Sequence, residues 1–315
     1  MKEHYLGTPE DQDFVAGYLS LMRSVTPYEM FLMPKVTTLS QLRLDAGVTF
    51  DFNLFDDLAT RCVKAIHDEH STEFALIPEQ RYFLGALTDG DSGGFHSRFA
   101  VGYHNIFKAG LTVPLSVERT QNVALRTLEL LRSYLHDSVH HSTYCTFRRL
   151  IRQPLRAADC KQVMPEVYRE QYGINFRNAQ GQSYSSPKLT HKVPEAINLN
   201  LLMDGVGIEV VTSLLNRFCG SKQIAPRTEF ERQVLNEVLL LINEDRPSAW
   251  GQDFYFEIVR PSRKFLLHWG GEPFRASIFR AMLDGELSDL KSYFSEKFGE
   301  DNAWEKVFRQ PGFQL

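Results

Sequence analysis

The stretch from Pro114 to Arg149 constrains the fold more than any other part of the chain. Pro114 and Ser116, with Glu118 and Thr120 after them, carry the chemistry that opens a helix, and a helical period then runs over about 116–149. Residues on a helix turn by about 100° each, so Leu128, Leu131, Leu135 and Val139 fall into one apolar seam to be buried. His136 and His140 lie on the flank of that seam, four residues apart. At this spacing the two imidazoles sit one above the other, close enough to bind one ion. Asp137 lies further round the same helix.

The pattern along the chain predicts an α+β protein that is mainly α-helical. Its 315 residues suit one large or two smaller domains, and 43% hydrophobic with 23% charged residues supports a folded core over disorder. Helices are predicted over 9–24 and 51–68, and, after Gly205 and Gly207, over 208–218, 228–243, 247–259, 274–283 and 286–297. Residues 70–118 differ. Short apolar runs at 73–77, 82–87 and 99–103, broken by Asp89-Gly90-Asp91-Ser92-Gly93-Gly94, predict one small sheet. The chain therefore divides into a mixed α/β N-terminal part, 1–115, and a mainly helical part, 116–315, that carries the histidines. Residues 153–200, rich in Pro, Gly, Asn, Gln and Ser, read as a long irregular excursion.

His136-Asp137-Ser138-Val139-His140 differs from H-E-x-x-H by one carbon in one side chain. In that motif both histidines bind zinc, and the carboxylate takes a proton from a metal-activated water. Asp137 has the chemistry of that base, but its carboxylate is set back by about 1.3–1.5 Å, one C–C bond. Catalysis is sensitive to such a displacement. A catalytic zinc site needs a third protein ligand and one open position. Glu209, the acidic residue in an apolar run that follows two glycines, is the candidate, because a carboxylate buried there demands a partner. Two bland readings stand beside these: histidines at this spacing by chance on a helix surface, and Glu209 as an acidic residue favoured in a first helical turn.

The two motifs together resemble the gluzincin metallopeptidases, which pair HExxH with a Glu on a later helix, often as NEG(I/L)(T/A)E. Gly207-Ile208-Glu209-Val210-Val211-Thr212-Ser213 is similar to that second motif, with Val210 at the usual Gly and Ser213 at the second Glu. The likeness extends to Tyr168-Arg169-Glu170-Gln171-Tyr172-Gly173 ahead of the Glu209 helix, and to a closing helix–Asp284-Gly285–helix segment, so that it covers roughly 116–300. It implies a zincin-like fold, one zinc ion held by His136, His140 and Glu209, Asp137 as catalytic base, and a protein or peptide substrate. It also leaves open a catalytically silent relative that keeps the metal and serves in interactions.

Other features carry less. Leu135-His136-Asp137 also resembles the HD phosphohydrolases, in which His and Asp both bind metal; His104 would be the upstream ligand, but Gly110 and Pro114 interrupt the required helix. His141 and Tyr144 are candidate cleft residues able to donate to an oxyanion, with surface or packing roles as the simpler reading. Tyr184 and His191 sit in the excursion. Arg148, Arg149, Arg152 and Arg156 complement a helix C-terminus, and Cys145 beside histidines raises a weak Cys-His reading. The Gly90–Gly94 turn lacks the Lys-Ser/Thr of a P-loop. A net charge of −4 argues against nucleic acid as a partner. The polar, acidic start, the absence of a long apolar run and four scattered cysteines predict a cytoplasmic protein without signal peptide, membrane span or disulfide framework.

Overall fold

The computed structural model describes residues 3–24, 36–45, 50–85, 93–96, 100–101, 104–105, 110–113, 121–151, 165–174, 200–219, 224–239, 259–301 and 303. In chain order the elements are β1 (Glu3–Leu6), α1 (Pro9–Ser24), β2 (Val36–Thr38), α2 (Leu39–Asp45), α3 (Phe52–His70), β3 (Tyr82–Gly85), β4 (Gly93–His96), β5 (Ala100–Val101), β6 (His104–Asn105), β7 (Gly110–Val113), α4 (Val123–Ser142), β8 (Cys145–Ile151), β9 (Pro165–Tyr172), α5 (Asn200–Phe218), α6 (Glu229–Leu239), α7 (Arg260–Trp269), α8 (Glu272–Asp284) and α9 (Ser288–Phe298). The described part is mainly helical with small sheets, as the sequence pattern predicts. Among the described residues no helix is long and apolar enough to cross a membrane.

The histidine helix α4 starts later and ends earlier than its period suggests. Asn122 caps it, accepting from the Leu125 N–H at 3.0 Å. At the other end Thr143 takes an extended conformation, and the chain turns into β8. Arg148 and Arg149 thus belong to a strand, where Cys145 and Phe147 point inward and Arg148 is exposed. Arg152, Arg156 and the residues 153–164 and 175–199 of the excursion lie outside the described residues, as do Tyr184, His191 and most of the helix predicted over 247–259.

Two sheets flank α4. One has the order β2-β3-β7-β4, with β3 and β7 parallel and the other pairs antiparallel. The other has the order β1-β8-β9, with β1 parallel and β9 antiparallel to β8. The predicted strand at 73–77 is not part of a ladder. Instead one stripe of α4 serves its backbone: Ser142 Oγ accepts from Ala75 N and donates to Ala75 O, both at 2.9 Å; Ser138 Oγ accepts from Ile77 N at 3.2 Å; and Tyr134 OH donates to Ile77 O at 2.5 Å. These three residues recur every four positions, so they share one side of the helix and stand in for a neighbouring strand.

The main apolar core draws on Phe55, Leu58 and Ile66 of α3, Tyr82 and Leu84 of β3, the seam Leu128, Leu131, Leu135 and Val139, and α5 and α8. It therefore runs on both sides of residue 115. A smaller cluster of Val15, Leu19, Cys145, Phe147 and Val167 joins α1 to the β1-β8-β9 sheet.

Candidate metal centre

The site forms where α5 packs across the seam flank of α4. Sequence reasoning starts this second helix at 208, treating Gly205 and Gly207 as breakers, but it begins at Asn200 and contains both. A Cβ at Gly207 would stand 3.4 Å from Val139 Cγ1 and 3.6 Å from His136 Cδ2, so the glycine sits at the point of contact between the two helices. Asp204 is three residues before Gly207, one turn back on the same face. It is thereby carried to the histidines.

His136 Nε2, His140 Nε2 and Asp204 Oδ1 converge there, all within 4.8 Å of one another. His140 Nε2 lies 3.1 Å from His136 Nε2 and 2.8 Å from Asp204 Oδ1. Ligands of one tetrahedral zinc are each about 2.0–2.2 Å from it, hence roughly 3.3–3.6 Å apart. His140 Nε2 is slightly closer to its two neighbours than that geometry asks, and the whole group lies within 4.8 Å. Their chemistry also fits. A carboxylate offers only acceptors, and a neutral imidazole offers one. A hydrogen on His140 Nε2 can serve His136 or Asp204 but not both, whereas one cation between them serves all three lone pairs. Burial pushes the pKa of His136 down to about 3, reinforced by His140 and partly offset by Asp204. His136 is therefore neutral, the state a metal ligand requires. The residues present thus form a group able to hold a metal ion. His140 is buried while the Asp204 side chain keeps 27% of its exposure, so the site is closed on one side and accessible on the other.

Glu209 is not in this group. Five residues on a helix rotate by about 500°, so Glu209 points roughly 140° away from Asp204. Its buried carboxylate accepts from Arg263 Nε at 3.0 Å and lies 3.8 Å from Arg275, tying α5 to α7 and α8. The partner that a buried carboxylate demands is thus a pair of guanidinium groups, and Asp204 is the third member of the group able to hold an ion. Asp204 has a signal in the sequence, an Asp-Gly pair one turn before a second glycine; placing it in a loop hides it.

Asp137 is also outside the group. It is 2% exposed and hydrogen-bonded to Tyr82 of β3. Burial raises its pKa to about 7, against the opposing pull of His140 and the Tyr82 hydroxyl. The HD arrangement, with His136 and Asp137 binding together, is not what the described residues form. His141 is one position, about 100°, beyond His140 and does not join the group. Tyr144 follows the end of α4 rather than continuing it. Its ring lies against Gly285, where a Cβ would come within 2.2 Å, and lines a separate cavity of about 560 Å³ with His4, Arg280 and Asp284. Cys145 is buried with its Sγ 3.4 Å from the Thr143 carbonyl, in the smaller core cluster, away from any nucleophile role.

A residue quoted only for its place in a motif proves to be part of the site. The Tyr172 hydroxyl is 2.7 Å from His140 Nδ1, on the ring edge opposite the convergent nitrogens. The next residue, Gly173, has φ +51°, and its N–H donates to Tyr144 O at 2.7 Å. A Cβ there would sit 2.8 Å from Thr143 Cγ2 and 3.2 Å from Met282 O. Gly173→Ala is expected to destabilise the fold by at least about 1–2 kcal/mol from the left-handed backbone alone, and further through that contact. Urea unfolding measures it, and a loss below 0.5 kcal/mol, roughly the noise of a surface change, would refute it.

Compared with protein-family models, curated proteins and solved structures, the chain matches none.

Proposed function

We propose that the protein is a zinc-dependent hydrolase, metallopeptidase-like, with His136, His140 and Asp204 as its ligands. The observation that carries this reading is the convergence of two imidazole nitrogens and one carboxylate oxygen from two helices on a single point. Three protein ligands and an accessible side are the pattern of a catalytic rather than a structural zinc site. When bound, such an ion acts as a Lewis acid and lowers the pKa of a water towards 7. Asp137 is the carboxylate assigned to proton transfer, and the Tyr82 hydroxyl holds it in place. A protein or peptide is the substrate class of this reading; among the described residues β4 is last in its strand order, and an extended peptide can add to such an edge. The free cysteines Cys62, Cys145 and Cys219 suit a cytoplasmic setting.

One observation favours a second reading, a metal-retaining but silent protein: the carboxylate of Asp137 is buried and engaged by Tyr82. The two are separated by assaying a quenched-peptide library with chelated protein, zinc-restored protein and His140→Ala. The enzyme reading expects cleavage only in the zinc-restored wild type. Zinc uptake without cleavage, followed by cleavage in zinc-loaded Asp137→Glu, would establish the silent reading instead.

A further inference from the structure

We infer that Tyr172 is a positioning residue of the metal centre, holding the His140 ring so that Nε2 faces the ion; this rests on the metal-site reading above. The hydroxyl is 2.7 Å from His140 Nδ1, and the two rings are nearly parallel, at 12° with centroids 6.3 Å apart. The chain is built to deliver this contact. Along β8 and β9 the register pairs Phe147 with Arg169 but Thr146 with Gln171, so Glu170 is an extra residue, a β-bulge. If Glu170 instead paired regularly with Thr146, Gln171 would face Cys145, and every side chain beyond would turn to the other side of the sheet. With it Tyr172 occupies that register position. Just past it, Gly173 is pinned against Thr143 and Met203, between the end of α4 and the start of α5. Gln171 Nε2 donates to the carbonyls of Gly173 and Gly285, at 3.0 Å each, and ties the same corner to α8.

A hydroxyl is suited to this place for a reason a carbonyl or carboxylate does not share. With a cation on Nε2 the ring hydrogen must be on Nδ1, and the Tyr172 oxygen accepts it. Without the cation Asp204, 2.8 Å from Nε2, draws the ring hydrogen to itself, and the hydroxyl then donates to Nδ1. Tyr172 can therefore keep His140 in one orientation in both states, and the site requires no ring flip on binding. Residues that orient metal-binding histidines in this way are each worth about 10–100-fold in metal affinity.

The test compares wild type, Tyr172→Phe and His140→Ala by zinc competition against a chromophoric chelator. In parallel, the Nδ1–H of His140 is followed by nitrogen-15 NMR of the zinc-loaded protein, with near-ultraviolet circular dichroism as the check on packing. The expected result for Tyr172→Phe is a 10–100-fold weaker zinc Kd, a His140 Nδ1–H lost to fast exchange, and an unchanged dichroism spectrum. Unaltered affinity with a still protected Nδ1–H would overturn the inference while leaving the metal site standing. Wild type that binds zinc no better than His140→Ala would overturn both, and only that outcome counts against the metal site itself.

Discussion

Asp204→Ala is expected to lose stoichiometric zinc, while Glu209→Ala keeps it. The contrast is sharp because both residues are acidic, both lie on α5, and sequence reasoning alone selects Glu209. In the fold only Asp204 reaches the histidines, with Oδ1 2.8 Å from His140 Nε2. Zinc sites built from a few side chains hold their ion with about 10–16 kcal/mol in total, so each ligand carries on the order of 3–5 kcal/mol. Removing one should weaken the zinc Kd by about 10²–10³-fold or more. Elemental analysis of the two purified variants reads this directly. Zinc retained by Asp204→Ala and lost from Glu209→Ala would reverse the assignment.

Glu209→Ala should instead cost stability. Its carboxylate accepts from Arg263 at 3.0 Å and lies 3.8 Å from Arg275, and the three side chains are 9%, 15% and 14% exposed. Removing the acid takes this acceptor from Arg263 and leaves Arg275 with its ion pair to Glu272. Breaking a buried pair from one side costs about 3–5 kcal/mol, chiefly through the charge left behind. The residual exposure of both arginines, and the Glu272 partner that Arg275 keeps, place the expected loss below that range, at about 2 kcal/mol. Urea unfolding of the metal-free protein isolates the effect from zinc linkage. A loss under about 1 kcal/mol would show that the ion cluster does not hold α5 to α7 and α8.

What was legible in the sequence follows from how local each signal is. The seam Leu128, Leu131, Leu135 and Val139 is buried as its period predicts, and the placement of His136 and His140 on its flank needs nothing beyond helical geometry. α1 and α3 likewise match their predicted spans closely. The third metal-binding group was not legible, because it depends on where α5 starts. Two glycines in three residues read as a break, whereas Gly207 sits inside the helix with Val139 and His136 of α4 as its neighbours. The burial of Glu209 was legible as a demand for a partner, but not which partner, since Arg263 and Arg275 lie 54 and 66 residues away. Tyr172 shows the same limit. Its contact with His140 depends on a bulge at Glu170, and no periodicity marks an extra residue in a strand. The segment 73–77 has the composition of a strand, yet its hydrogen bonds are taken by Tyr134, Ser138 and Ser142 on a helix 57 or more positions later.

One zinc ion at the meeting of α4 and α5 is open to direct observation. Crystals grown with one equivalent of zinc, measured on both sides of the zinc absorption edge, locate it without reference to any assay. The expected result is one anomalous peak about 2.0–2.2 Å from His136 Nε2, His140 Nε2 and an Asp204 oxygen, with Glu209 still on its arginines. A peak elsewhere, or none at this point in crystals that retain the fold, would contradict this assignment.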